Sequence, residues 1–169
     1  LDVYETTHPA VASVISAGTA TAMVLGLDKL LPLMPSSLLS LVAAVGFLGF
    51  AAANLIGLRQ ADIRRMLGYS SVAHIALVSG ILAAGTAAGT PRATVLLAAG
   101  AVLVNHALAK AGLFWVTEIV GTRRAKEFVA QLRGRYGLAL FTGALVVALA
   151  GLPPFAGFFG KWQLMIGLA

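Results

Sequence analysis

The chain has 169 residues, 59% of them hydrophobic and 11% charged, with a net charge of +6 and a mean hydropathy of +0.93. Soluble domains carry about 25% charged residues, so a water-soluble fold is excluded and most of the surface must be buried in lipid. The lack of cysteine removes disulfides, thiolate metal sites and cysteine nucleophiles, and no cluster of His with carboxylates replaces them, so neither metal nor cofactor is expected. The opening Leu1-Asp2-Val3-Tyr4-Glu5 has no basic stretch and no start methionine. It does not read as a signal peptide, and the chain reads as cut from something longer.

A membrane-spanning helix needs about 20 predominantly apolar residues. Five such spans are predicted, at about 9–27, 37–58, 67–86, 92–120 and 136–169, the last two long enough to be tilted or broken. Tyr4, Glu5 and His8 precede the first span as a solvated segment. Between the first two spans, Gly26 to Ser37, with Asp28, Lys29, Pro32 and Pro35, reads as a short polar turn, and Gly85 to Pro91 has that role between the third and fourth. Two other loops are basic: Arg59 to Arg65, and Arg123 to Arg135.

Five spans place the N-terminus and both basic loops on one side. That side holds Arg59, Arg64, Arg65, Arg123, Arg124, Lys126, Arg133 and Arg135, against Lys29 and Arg92 on the other. By the positive-inside tendency the first side is cytoplasmic. The basic charge thus serves topology, with lipid headgroups as its ordinary neighbours, and nucleic-acid binding is not expected. Gly and Ala crowd most spans, which lets helix backbones approach closely.

Two lysines fall inside apolar segments, Lys110 and Lys161. A charged side chain at the bilayer centre costs roughly 2.5 to 3.5 kcal/mol on insertion scales, so such residues face protein or water and mark ion pathways. Lys110 lies about ten residues, roughly 15 Å, from the nearer span end, beyond snorkelling reach. It follows His106 by four positions, one turn away on the same helical face, where the two could exchange a proton through a water.

Lys161 comes seven residues after Pro154, within a segment whose two prolines and spaced glycines should interrupt the fifth helix. The carbonyls freed by such a break are tolerated at membrane depth only where protein or water satisfies them. A lysine just past the break is a candidate ion site, and the competing reading is an interfacial Lys161-Trp162 anchor. His74, in the third span beside Ser70 and Ser71, can carry a proton near neutral pH or merely bond a neighbouring helix. Glu118, near the cytoplasmic end of the fourth span, is either a counter-charge for Lys110 or an interfacial carboxylate.

Three blocks carry a resemblance. Gln60 to His74 (QADIRRMLGYSSVAH) resembles a Q-x-D-I-K-R-L-L-A-Y-S-S-I-x-H pattern. Asn105 to Phe114 is similar to H-A-x-x-K-x-x-L-F, and Gly151 to Lys161 matches G-[IL]-P-P-x-x-G-F-x-x-K. In this order they resemble those of the antiporter-like, proton-conducting membrane subunits of respiratory complex I, of Mrp-type cation/proton antiporters and of energy-converting hydrogenases. The resemblance implies an all-α, polytopic transmembrane bundle, with this chain as one of two inverted five-helix repeats, roughly the family's eighth to twelfth helices, ending in a broken helix. It places Lys110 at a central lysine, His106 at its partner histidine and Lys161 at the lysine of the broken helix. Arg64 stands where the family has a lysine, and arginine does not release its proton. The first span offers Ser16 and Ala22 where the family has Lys or His, and a hydroxyl cannot store a charge.

The function so implied is proton or cation/proton translocation through a hydrated relay of Lys110, His106, Lys161 and His74, with Arg64 and Glu118 secondary. The implied partners are sister antiporter-like and redox-arm subunits of a quinone-linked NADH dehydrogenase-like, hydrogenase or Mrp complex, the lipid bilayer, and protons with Na+ as the alternative cargo. The implied location is a bacterial-type inner membrane. A self-standing exchanger and a non-conducting structural subunit are the alternatives.

Overall fold

The computed structural model describes residues 2–167, with the side chains of Asp2, Glu5, Lys161 and residues 164–167 outside the described set. It is a bundle of helices (α1 Asp2–Thr6, α2 Pro9–Val14, α3 Ala20–Leu30, α4 Ser36–Gly57, α5 Ile63–Ala87, α6 Arg92–Val120, α7 Ala125–Leu132, α8 Tyr136–Ala150, α9 Ala156–Gly167). A π turn, Ile15–Thr19, joins α2 to α3, and a 3-10 turn, Leu31–Leu33, follows α3. Four stretches are long and apolar enough to cross a membrane: Pro9–Leu33, Ser36–Gly57, Ile63–Ala87 and Arg92–Val120; Tyr136–Ala150 is a shorter apolar helix.

The helix ends follow local chemistry. Asp62 caps α5 by accepting from the Arg65 backbone N–H at 3.0 Å, satisfying one of the donors that a helix N-terminus leaves free. Gly121 and Gly151 close α6 and α8 in the left-handed conformation, both with φ of 74°, which an L side chain resists.

Two boundaries differ from expectation. The first helix runs six residues past position 27, to Leu33, because Asp28 is not in a polar turn: it is buried in the helix and paired with Arg92 at 2.6 Å. Pro35 then ends the run, in extended conformation ahead of Ser36. Likewise Arg64 and Arg65 belong to the first turn of α5 rather than to a loop. Tyr4 is also not solvated: its ring stacks on Phe114 with centroids 5.9 Å apart. The expected break in the fifth span is present between α8 and α9, over Gly151 to Phe155.

α5 and α6 form the centre of the bundle, about half buried, while α4 is largely exposed on its outer side. Small residues set the closest approach. A Cβ on Gly46 would lie 2.7 Å from the Ala76 carbonyl oxygen and from the Gly80 backbone, so α4 and α5 touch main chain to main chain, as small residues permit between membrane helices. One apolar core gathers Val24, Leu39, Val78, Leu82, Val95 and Val102. A second gathers Ile63, Leu67, Leu113, Phe114 and Phe128. Between these two apolar layers the polar residues described below meet.

The basic loops meet at one end. The Ile63 N–H donates to the Arg123 carbonyl (2.8 Å) and the Ala125 N–H to the Ala61 carbonyl (3.0 Å). Arg64 also reaches the Thr7 carbonyl (3.4 Å), so the N-terminal segment lies at that end too. Asp28 and Arg92 pair at the opposite end.

Candidate proton-handling site

Lys110 is fully buried on α6, and its ammonium donates to the Leu67 carbonyl of α5. The same carbonyl also accepts from Ser71 Oγ at 3.2 Å. Ser71 in turn meets Ser16 Oγ of the π turn at 3.0 Å, with both hydroxyls buried. Since Ser71 donates to Leu67, it accepts from Ser16. The extra residue of the π turn is thus where the first helix turns a hydroxyl inward; such turns recur at functional sites. Ala22, the other position considered in the first span, faces outward.

His106 lies one turn back from Lys110, 2% exposed, and its ring is tilted 31° against that of His74 with centroids 4.7 Å apart. Neither ring nitrogen of His106 has a hydrogen-bond partner among the described residues. Buried polar atoms normally do have one. His74 has Nδ1 2.8 Å from the Ser70 carbonyl and Nε2 3.1 Å from the Leu149 carbonyl. Carbonyls only accept, so both contacts are hydrogen bonds when the ring carries two protons, and a neutral ring keeps one of the two. Two positive charges at the 4.7 Å separation would repel by about 3 to 4 kcal/mol at an effective dielectric near 20, so the pair suits one charge rather than two.

The broken helix is held at the same place. Its last α8 carbonyls receive side-chain donors from the two central helices: His74 toward Leu149, and Asn105 Nδ2 to Ala148 at 2.6 Å. This meets the requirement that freed carbonyls in a membrane find partners. Asn105, directly before His106, carried a signal that sequence reasoning passed over, a polar amide in an apolar run.

The structure separates the other residues from this group. Glu118 is not beside Lys110; it pairs with Arg64 at 3.1 Å, where the arginine side chain is 9% exposed and the carboxylate 47%. Lys161 lies in α9, but its side chain is outside the described residues. Lys110, His106 and His74 are brought together; Arg64 and Glu118 form their own pair one end away.

Among curated relatives, NADH-quinone oxidoreductase subunit N of Rubrobacter xylanophilus is 31% identical over 98% of this chain and 35% of its own length. That of Chromohalobacter salexigens is 32% identical over 97% of this chain and 35% of its own. That of Desulforudis audaxviator is 38% identical over 80% of this chain and 26% of its own. The chain therefore spans about a third of the length of the relatives it matches. No solved structure matches it. Together with helices fit to cross a membrane, a match of residues 1–169 to the family described as NADH:quinone oxidoreductase/Mrp antiporter, TM, makes the chain an integral membrane member of that family.

Proposed function

We propose that this chain is part of an antiporter-like subunit of an NADH-quinone oxidoreductase-type complex and moves protons across the membrane through Lys110, His106, His74 and Lys161. The observation that carries the reading is Lys110: an ammonium at 0% exposure, one turn from a pair of histidine rings in contact, in a bundle whose surroundings are apolar. A buried cation that only stabilised the fold would be expected in an ion pair, because breaking even with desolvation requires one. Here the ammonium is met by a neutral carbonyl.

The sequence of events is electrostatic. Lys110 and the His74–His106 pair hold charge in one low-dielectric region, so a proton arriving at either favours release from the other. The unpaired nitrogens of His106 suit a bridging water between its ring and Lys110. Arg64 holds its proton permanently and, tied to Glu118, serves as a clamp between α5 and α6 rather than a relay. Orientation follows from the basic end, which would face the cytoplasm; redox-arm and sister subunits are the proposed partners. Lys110→Ala and Lys161→Ala, each in the full-length subunit and assayed in native membrane vesicles, should abolish proton translocation. Unchanged translocation in both variants overturns the reading.

A further inference from the structure

Asn105 stands where three elements converge. It is buried on α6, and its Nδ2 donates to the Ala148 carbonyl in the last turn of α8 at 2.6 Å. The start of α9 closes over the same amide: a Cβ on Gly157 would lie 2.6 Å from Asn105 Nδ2, 3.1 Å from its Cγ and 3.5 Å from the Ala148 oxygen. Real Cβ atoms do not approach so closely, so the amide occupies the space that any residue but glycine would need. One turn on, a Cβ at Gly160 would lie 2.7 Å from the Ala98 carbonyl and 3.1 Å from Ala101 Cβ, both on α6. Gly157 and Gly160 are three residues apart and share a helical face, and that face is seated on α6. Lys161 follows Gly160 directly, so the seat also determines where its backbone lies.

We propose that Asn105 is a positioning residue for the broken helix: its amide binds the exit of α8 and fills the notch left by Gly157, which sets the register of α9 against the face of α6 that carries His106 and Lys110. The proposal rests on the proton-relay reading of that face. A polar anchor has an advantage here over an apolar one. The Ala148 carbonyl also accepts the Gly151 N–H at 3.0 Å, and a carbonyl has two lone pairs, so the amide completes it at the point where the helix stops. An apolar side chain of the same size would fill the notch and leave that second site empty, without directional hold on the break.

The test uses the full-length protein in native membranes, with Asn105→Ala, Gly157→Ala and the double variant. Each single change should lower proton translocation on the order of tenfold per folded molecule, within the coupling range of contacting residues. The double variant should be no worse than Asn105→Ala alone, because removing the amide makes room for the added methyl. Independently of transport, spin labels at Val104→Cys on α6 and Phe159→Cys on α9, both exposed, should show a shifted or broadened distance distribution when Asn105→Ala is added. Asn105→Ser, which keeps a donor, should restore part of the narrow distribution; Gly157→Ala, which crowds the same notch, should shift it and carries the distance test should Asn105→Ala not accumulate. An unchanged distribution, or fully multiplicative losses in the double variant, overturns the proposal. If Lys110→Ala and Lys161→Ala leave translocation intact while Asn105→Ala still shifts the distribution, the relay reading fails and the seating of α9 stands. If the lysine variants abolish translocation and Asn105→Ala changes neither readout, the seating fails and the relay stands.

Discussion

At Lys110 the proposed role in transport and the contribution to stability can be separated at a single residue. Its side chain is fully buried and its head meets the Leu67 carbonyl. Replacing a buried charge by an apolar chain of similar length is often neutral or stabilising. Lys110→Met should therefore keep or raise the Tm of the detergent-solubilised protein while abolishing proton translocation; a large fall in Tm would make the ammonium a structural element instead. His74 should behave oppositely. It supplies the donor to Leu149 at the helix break, and His74→Ala leaves that carbonyl without it and opens a space beside His106. A lost buried partner costs about 1 to 3 kcal/mol, equivalent to a fall in Tm of roughly 2 to 12 °C for a chain of this size, measurable by thermal unfolding in detergent. The two lysines and two histidines were conspicuous in the sequence because charge and imidazole are rare among Leu, Ala and Val. Their grouping was only half legible. Spacing put His106 one turn from Lys110, but the contact of His74 with it depends on how α5 crosses α6. Asn105 was in plain sight and its role was not, because an amide declares a need for a partner without saying which.

At the scale of the element, close approach and clamping decide where the polar residues lie. The contact of Gly46 with the Ala76 carbonyl and the Gly80 backbone leaves no room for a side chain. Gly46→Leu should force α4 off α5 at a cost of at least about 3 kcal/mol, the upper part of the usual overpacking range, visible as loss of folded protein from the membrane. The clamp between α5 and α6 is gentler. Glu118 is 47% exposed, so solvent screens it, and its removal by Glu118→Ala should cost only about 1 kcal/mol even though the Arg64 side chain is 9% exposed. Arg64 keeps its contact with the Thr7 carbonyl. The helix lengths were readable from hydropathy, and the fourth span was placed at the residues it occupies, 92–120. The first was read short because Asp28, Lys29 and Pro32 look like a turn; burial of Asp28 against Arg92 removes the penalty that would have stopped the helix. The π turn at Ile15–Thr19 has no sequence signature, since it arises where the first helix must present Ser16 to Ser71.

Across the whole molecule, the two basic segments are tied to each other by backbone hydrogen bonds at one end and the Asp28–Arg92 pair lies at the other. With no native cysteine in the chain, a thiol introduced as Arg124→Cys should be modified by a membrane-impermeant maleimide only from the cytoplasmic face, and one introduced at the exposed Ala88 as Ala88→Cys only from the opposite face; the reverse pattern would invert the proposed orientation. Composition, the length of the apolar runs and the uneven distribution of Lys and Arg by themselves determined that the chain is a helical membrane bundle, which ends share a side and which cations are out of place in lipid, because the bilayer imposes the same length, polarity and charge rules on every segment that crosses it. Only the tertiary structure decided that Glu118 answers Arg64 rather than Lys110, that the two histidine rings meet, and that Asn105 and His74 contact the last carbonyls before the helix break. Those facts depend on crossing helices brought within a few ångströms of one another, and no spacing along one helix specifies what a neighbour will present.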